Sequence, residues 1–471
     1  MAAWQAVVHV VLLDGWCCKV DSPAWRATPG APRSDRTQES GCDLWPHDNR
    51  RMSSPPIADH AAADAARAKV LPRLVLAQFA GTSPWFAVNA VMPDLQAAHG
   101  WPDSALGTLT SAVQGGFIVG TLVFALGGVA DRFNARRVFL FCALAAALCT
   151  LLALAAVQGS GHLTALHVLR AATGFFLAGI YPVGMKIAAQ WYPTRPGAGG
   201  GGLGLALGWL VGALVLGSAS PHALRGLLAA WPQGQLPWGG VMLGVALLAA
   251  AAGWLVARGL PDAPGTGSPT FGRPSLRAHA LALASLWTDR RLRASALGYF
   301  GHMFELYTLW VLIPLILATR VQGAALSWAA FFVLGAGMLG CVLGGKLAQR
   351  WGSARVAAAQ LAISGLCCVV APWALAAPAA LFAVWALVWG ITVAGDSPQL
   401  STLTARNAPP QALGSVLTFT NSLGFFISIL SIEFFVRWAA HAPLAEVLPW
   451  LALGPLIGVL ALRPLWRPAP G

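Results

Sequence analysis

Apolar runs of about twenty residues recur along most of this chain, parted by short polar turns. A helix that crosses a bilayer needs about 20 mostly apolar residues. Runs of that kind fall at 71–93, 104–128, 136–157, 163–189, 202–220 and 238–257. A stretch rich in Pro, Gly and Arg follows from 258 to 293, and six more runs occupy 294–318, 326–347, 355–375, 379–403, 413–437 and 446–463. The pattern predicts twelve transmembrane helices, called span 1 to span 12 below. They form two six-helix bundles, at 71–257 and 294–467, joined by a cytoplasmic linker at 258–293. The expected fold class is an all-α polytopic membrane protein, because a helix satisfies its own backbone polar groups where no water can.

Composition narrows the function. The 471 residues are 57% hydrophobic and only 10% charged, against about 25% charged in ordinary globular chains. Such a chain is not a soluble enzyme, a disordered protein or a disulfide scaffold. The formal net charge of +13 resembles that of a nucleic-acid binder, but no nucleic-acid partner is expected. Positive residues instead crowd one set of loops, including Arg67, Lys69, Arg73, Arg132, Arg136, Arg137, Arg290, Arg291, Arg293, Lys346, Arg350 and Arg355. The other set holds Arg225, Arg320 and Arg437 alone. Lys and Arg stay preferentially in the cytoplasm, so both termini are expected there, with the lipid bilayer as the protein's surroundings. The preference for Arg over Lys and the wealth of Ala, Gly and Pro fit a GC-rich genome, and so a bacterial inner membrane.

Residues 1–70 stand apart as a cytoplasmic tail, expected to be disordered. The apolar opening Ala2–Leu13 has no basic residue before it and no small-residue cleavage site after it, unlike a signal peptide. Met52, which opens Met52-Ser53-Ser54-Pro55-Pro56, reads as the natural start, with 1–51 a mis-called extension. Cys142, Cys149, Cys341, Cys367 and Cys368 fall within spans, where cysteine behaves as a small apolar residue. No spacing suggests a metal, a Walker loop or a nucleophile elbow, so no cofactor, metal or ATP-driven step is expected.

The loop after span 2 reads Gly127-Gly128-Val129-Ala130-Asp131-Arg132-Phe133-Asn134-Ala135-Arg136-Arg137. After span 8 the chain reads Gly344-Gly345-Lys346-Leu347-Ala348-Gln349-Arg350-Trp351-Gly352-Ser353-Ala354-Arg355. Aligning Asp131 with Gln349 gives an offset of 218 (349 − 131), close to the spacing of the two six-span sets, as in an internally duplicated transporter. These segments resemble the loop signature of the major facilitator superfamily. Asn134-Ala135 lengthens the usual turn by one residue, and Gln349 replaces the usual Asp in the second copy. Arg170 and Gly174 in span 4 resemble a second motif of that family, and Gly174 and Gly179 permit close helix contact. The Gly-Pro motif of drug–proton antiporters is absent from Gly204–Gly217.

The resemblance implies two pseudo-symmetric bundles, a secondary transporter working as a monomer by alternating access, and a small-molecule substrate. It implies that Asp131 faces the start of span 11, whose helix dipole attracts a carboxylate. Gly127, Asp131, Arg132 and Arg136, with Gly345 and Arg350 in the second copy, would form the cytoplasmic gate. Simple positive-inside anchoring is the alternative for these arginines.

Ionisable residues inside the hydrocarbon are costly and default to functional candidates. Arg170, Glu305 and Asp396 lie about 12, 17 and 15 Å inside spans 4, 7 and 10 at 1.5 Å per residue. In the resembled fold these spans line the central cavity. His302 and Glu305 are three apart and share a helix face, so the pair can pass a proton or can simply satisfy each other. Asp396-Ser397-Pro398 predicts a broken helix where the carboxylate binds a proton or substrate, or else meets freed backbone groups. Arg170 pairs with a carboxylate or holds an anionic substrate. Trp85 and Asn89, four apart in span 1, are candidates for the cavity wall, with packing as the alternative for Trp85. Glu433 and Arg437 read as an interfacial ion pair.

The resulting expectation is a proton-coupled transporter of a small solute, with Arg170, Glu305, Asp396, His302, Asn89 and Trp85 at its site. The rival within that class is an exporter of drugs or metabolites by proton antiport. The rival of another class, a membrane hydrolase built on His302, Glu305 and Asp396, leaves the duplicated loop without a use. The chain is therefore not expected to be an enzyme.

Overall fold

A computed structural model describes residues 57–160, 162–192, 201–229, 237–262, 283–409 and 412–466. The Met52 start and most of the 258–293 linker fall outside the described residues.

Eleven helices among the described residues are long and apolar enough to cross a membrane. In order they are Lys69–His99, Ser104–Leu126, Ala135–Gln158, Leu163–Trp191, Leu203–Leu228, Trp238–Gly259, Arg290–Ala318, Gly323–Trp351, Ala379–Asn407, Leu413–Ala439 and Leu444–Leu465. A shorter apolar helix, Ser353–Val369, stands at the ninth place and continues after a break as Ala371–Ala376. The predicted spans are thus all present. Span 1 grows from a helix that begins at Ile57 rather than 71, because Ile57–Lys69 is rich in alanine, the best helix former.

Several spans are broken, most of them beside a proline, while span 8 parts at Ala336 without one. Span 1 is interrupted between Thr82 and Ala87, around Pro84. Span 4 parts between Leu177 and Tyr181, just before Pro182, and span 10 parts at Asp396, two residues before Pro398. Proline lacks the amide hydrogen that would continue the ladder, and its ring clashes with the preceding turn. Each break leaves backbone carbonyls in mid-span that need another donor.

Spans 1–6 pack among themselves, chiefly span 2 on span 4, span 3 on spans 4 and 6, and span 1 on spans 5 and 6. Spans 7–12 do the same through span 7 on spans 11 and 12, and span 8 on span 10. Equivalent contacts in the two sets rest on glycine. A Cβ on Gly174 of span 4 would lie 1.8 Å from the Val113 carbonyl oxygen of span 2. A Cβ on Gly390 of span 10 would lie 2.0 Å from that of Val333 in span 8. Lipid offers no hydrophobic drive between helices, so close backbone approach supplies the attraction.

The two sets meet along two seams, span 2 against span 11 and span 5 against span 8. Against span 8, a Cβ on Gly208 would stand 3.2 Å from the Cys341 carbonyl oxygen, and one on Gly212 would stand 3.0 Å from Met338. On the other seam Ser111 Oγ donates to Glu433 Oε1 at 2.8 Å, and Ser428 Oγ donates to Gln114 Oε1. These bonds lie toward the end of the bundle away from the basic loops, called the opposite end below. The arginines of that end are each occupied. Arg225 bridges to Asp94 at 2.7 Å, Arg437 to Glu433 at 3.1 Å, and Arg320 bonds the carbonyls of Leu375 and Ala377.

Candidate functional site

Glu305, Asp396, His302 and Arg170 are each about 1% exposed, and the spans pair them differently from the sequence expectation. His302 Nδ1 lies 2.8 Å from Asp396 Oδ1. Glu305 Oε1 instead accepts from Ser364 Oγ at 2.6 Å, Trp389 Nε1 at 2.7 Å and Cys368 Sγ at 3.2 Å. The expected His302–Glu305 pairing gives way because residues three apart on a helix diverge by about 60°. That divergence is enough for each to face a different neighbour. Asp396 reaches His302 at the break in span 10, and its side chain forms no cap hydrogen bond there.

Neither carboxylate has a lysine or arginine within ion-pair distance among the described residues. A buried carboxylate without a cation is costly, and a proton removes the charge. The His302–Asp396 pair can therefore exist as a neutral proton-sharing pair or as a buried anion. His302 Nε2 has no partner and leaves one position open to a second proton. Glu305, by contrast, is held by three donors and fixes spans 7, 9 and 10 together.

Arg170 reaches backbone rather than a carboxylate. Its guanidinium donates to the carbonyl oxygen of Pro84 at 2.7 Å and to that of Trp85, the acceptors exposed by the break in span 1. Among the described residues no carboxylate approaches it. A planar fork of donors suits two adjacent carbonyls, so Arg170 serves here to hold the broken helix.

Asn89 Nδ2 donates to Thr110 Oγ1 of span 2 at 2.8 Å, inside its own bundle. Trp85 does face the other bundle. Its ring stacks against Tyr307 and Phe425 at 6.0 and 5.7 Å between centroids, and Phe86 stacks on Tyr307 at 6.0 Å. These aromatic contacts join spans 1, 7 and 11 at mid-depth. Beside them runs a narrow cleft lined by Tyr181, Tyr299, Met303, Tyr307, Trp310 and Ser397 among others. The acid–base pair lies behind this wall, with Tyr299 and His302 ring centroids 5.9 Å apart and Ser397 next to Asp396 in sequence. Sequence reasoning missed Ser364, Trp389, Tyr299 and the seam residues Ser111, Gln114 and Ser428. Scarcity was the available signal for the tyrosines, since the chain has four.

In the loop after span 2, Gly128 is left-handed at φ 59°, which the Gly127-Gly128 pair permits. The side chain of Asp131 lies outside the described residues. Arg132 is exposed. Arg136 donates to the Leu260 carbonyl and bridges to Asp262 at 3.0 Å, so it ties span 3 to the end of span 6 in the same bundle. In the second copy, Gly345 is buried and Arg350 exposed within the unbroken helix Gly337–Trp351. Among the described residues no group of three or more His, Cys, Asp or Glu could hold a metal ion.

The model of the Major Facilitator Superfamily matches residues 74–432. The chain belongs to that superfamily. It is a transporter and not an enzyme, and the hydrolase reading is set aside. Its fold resembles the proton:xylose symporter XylE bound to 6-bromo-6-deoxy-D-glucose, with a TM-score of 0.64 and 13% identity over 87% of this chain and 97% of that one. It also resembles the E. coli fucose:proton symporter FucP, with a TM-score of 0.59 and 16% identity over 85% and 100%. Among relatives in sequence, the 4-hydroxybenzoate transporter PcaK of Acinetobacter baylyi is 25% identical over 370 residues, 72% of this chain and 78% of that protein. A chloramphenicol resistance protein of Streptomyces lividans is 28% identical over 272 residues, 57% and 64% of the two chains. As in other transporters of the superfamily, the ligand is a small molecule and the setting a membrane.

Proposed function

We propose that this transporter moves a small solute across the bacterial inner membrane by alternating access coupled to protons, as a monomer with both ends in the cytoplasm. The observation that carries the reading is the His302–Asp396 pair, 2.8 Å apart and 1% exposed at a break in span 10. Protonation neutralises the pair, deprotonation leaves a buried anion, and the adjoining break lets that difference bias which side of the cleft is open. Glu305 holds the frame of the second bundle, and Arg170 that of the first. In this orientation the basic loops are cytoplasmic. The Ser111–Glu433 and Gln114–Ser428 bonds then seal the external side, while Gly127, Asp131 and Arg132 belong to the cytoplasmic gate and Arg136 braces it from within the first bundle.

The test is accumulation in proteoliposomes under an imposed pH gradient, with the compounds that the relatives' names supply, 4-hydroxybenzoate and chloramphenicol, as first probes. The wild type is expected to accumulate a probe, and Asp396→Asn to equilibrate it without concentrating it. Accumulation against a gradient by Asp396→Asn combined with Glu305→Gln overturns the reading. A second reading is export by proton antiport; the Streptomyces lividans relative, named as a chloramphenicol resistance protein, supports its outward direction. Reversing the imposed gradient separates the two directions.

A further inference from the structure

Three of the four tyrosines in this chain, Tyr181, Tyr299 and Tyr307, line the cleft between the two bundles. Tyr299, Met303 and Tyr307 follow one another at four-residue intervals, so they stack on one face of span 7. Trp310 and Phe425 add two more rings to the lining. Among the described residues no protein group hydrogen-bonds any of the three phenol hydroxyls. A phenol in an apolar surround without a partner is unfavourable, so these hydroxyls are free to bond a ligand.

Charge is missing from this wall. No lining residue is acidic or basic. Arg170 is not among the lining residues and spends both terminal nitrogens on the carbonyls of Pro84 and Trp85, with Nε left unpartnered, and His302 and Asp396 face each other. An anion entering here would shed its water and find neutral hydroxyls instead of a cation. A sugar would leave most of its hydroxyls against apolar carbon. The void here is only about 20 Å³, so a ligand needs the bundles to part; a flat ring then suits the wall better, because aromatic faces and edges attract one another and the Met303 thioether favours an aromatic neighbour.

We propose that the substrate is an uncharged aromatic solute with one or two hydrogen-bonding groups, its ring held among Tyr299, Met303, Tyr307 and Trp310. Aromatic acids would bind in their protonated form. The proposal rests on the reading that transport runs through this cleft.

Binding to the purified full-length protein in detergent, by calorimetry at pH 8, tests it. The probes are benzamide, benzoate, cyclohexanecarboxamide and xylose. Benzamide is expected to bind at least tenfold more tightly than the other three. Tyr299→Phe and Tyr307→Phe, which keep the ring, should each weaken benzamide about fivefold for a lost hydrogen bond. Tyr192→Phe, outside the cleft lining, should leave binding unchanged. Equal or tighter binding of benzoate or xylose overturns the proposal, as does failure of benzamide to bind. If a variant misfolds, the wild-type comparison of benzamide with benzoate decides alone. Because this assay uses no gradient, benzamide binding in the expected order without proton-driven accumulation would refute the coupling and leave the substrate class standing.

Discussion

Replacing Gly174 with alanine puts a methyl group where spans 2 and 4 already touch. The new Cβ would stand 1.8 Å from the Val113 oxygen, 2.8 Å from its carbonyl carbon and 2.9 Å from the Phe117 nitrogen. Non-bonded atoms of this kind settle near 3.5 Å, so the two helices must part by roughly 1.5 Å. The obstructing atoms are backbone, with no rotamer to yield, which places the change at the costly end of the about 1–3 kcal/mol typical of overpacking. Alanine recovers about 1 kcal/mol through its better helix propensity. The net loss is about 2 kcal/mol, or roughly 5 °C in apparent Tm for a bundle of this size. Fluorescence-detected size-exclusion after a heating series measures it. Gly115→Ala is the control, since a Cβ there meets nothing within 4 Å and should hold or raise the Tm. If Gly174→Ala survives as well as Gly115→Ala, the close contact of spans 2 and 4 is wrong. Gly390→Ala, its counterpart in the other bundle, should repeat the loss.

Two further outcomes follow from the polar contacts. Arg170→Lys should lower thermal stability by about 1.5–3 kcal/mol, because a single nitrogen cannot reproduce the planar fork whose two nitrogens each reach one carbonyl of span 1; an unchanged melting curve would dismiss that role. Ser111→Ala removes a charge-assisted bond of about 1.5–3 kcal/mol and should shift the balance about tenfold away from the state closed at the opposite end. Spin-label distances between spans 2 and 11 would report this, and an unaltered distribution would count against the seam.

The spans were legible because hydrocarbon length and helix pitch leave little choice, and the break in span 10 because Asp396-Ser397-Pro398 is written in the chain; the breaks near Pro84 and Pro182 were not, since Pro72 and Pro314 lie inside unbroken helices. Burial was legible too, since Arg170, Glu305 and Asp396 are each about 1% exposed, as rarity within the spans implied. Partnership was harder to read. Helical spacing puts His302 and Glu305 on one face, yet it says nothing about which neighbouring helix covers that face. Span 10 supplies Asp396 to one and Trp389 to the other. Arg170 shows the same limit in a different way. Its acceptors are backbone carbonyls, which have no letter in a sequence, so a search among side chains offered it only a carboxylate or a ligand. Of the cleft residues, Tyr181 beside Pro182 could be picked out as a wall candidate, whereas Tyr299 and Tyr307 were hidden because tyrosine is neutral and an inventory of charges passes over it.

The two seams between the bundles are made of different materials, and the difference has a mechanical meaning. Spans 2 and 11 are held by discrete bonds such as Ser111 to Glu433, which are either made or broken. Spans 5 and 8 meet over Gly208 and Gly212, set four apart and nearly flush with Cys341 and Met338. Larger side chains cross elsewhere on this seam, Trp328 over Gly226 and Leu216 over Gly335, so it is held by packing and not by polar bonds. In the alternating access proposed here, the first seam is a clasp that opens and the second a packed contact, and a bulky residue at Gly208, 3.2 Å from the Cys341 carbonyl oxygen at its Cβ, would force the second apart while leaving the clasp intact.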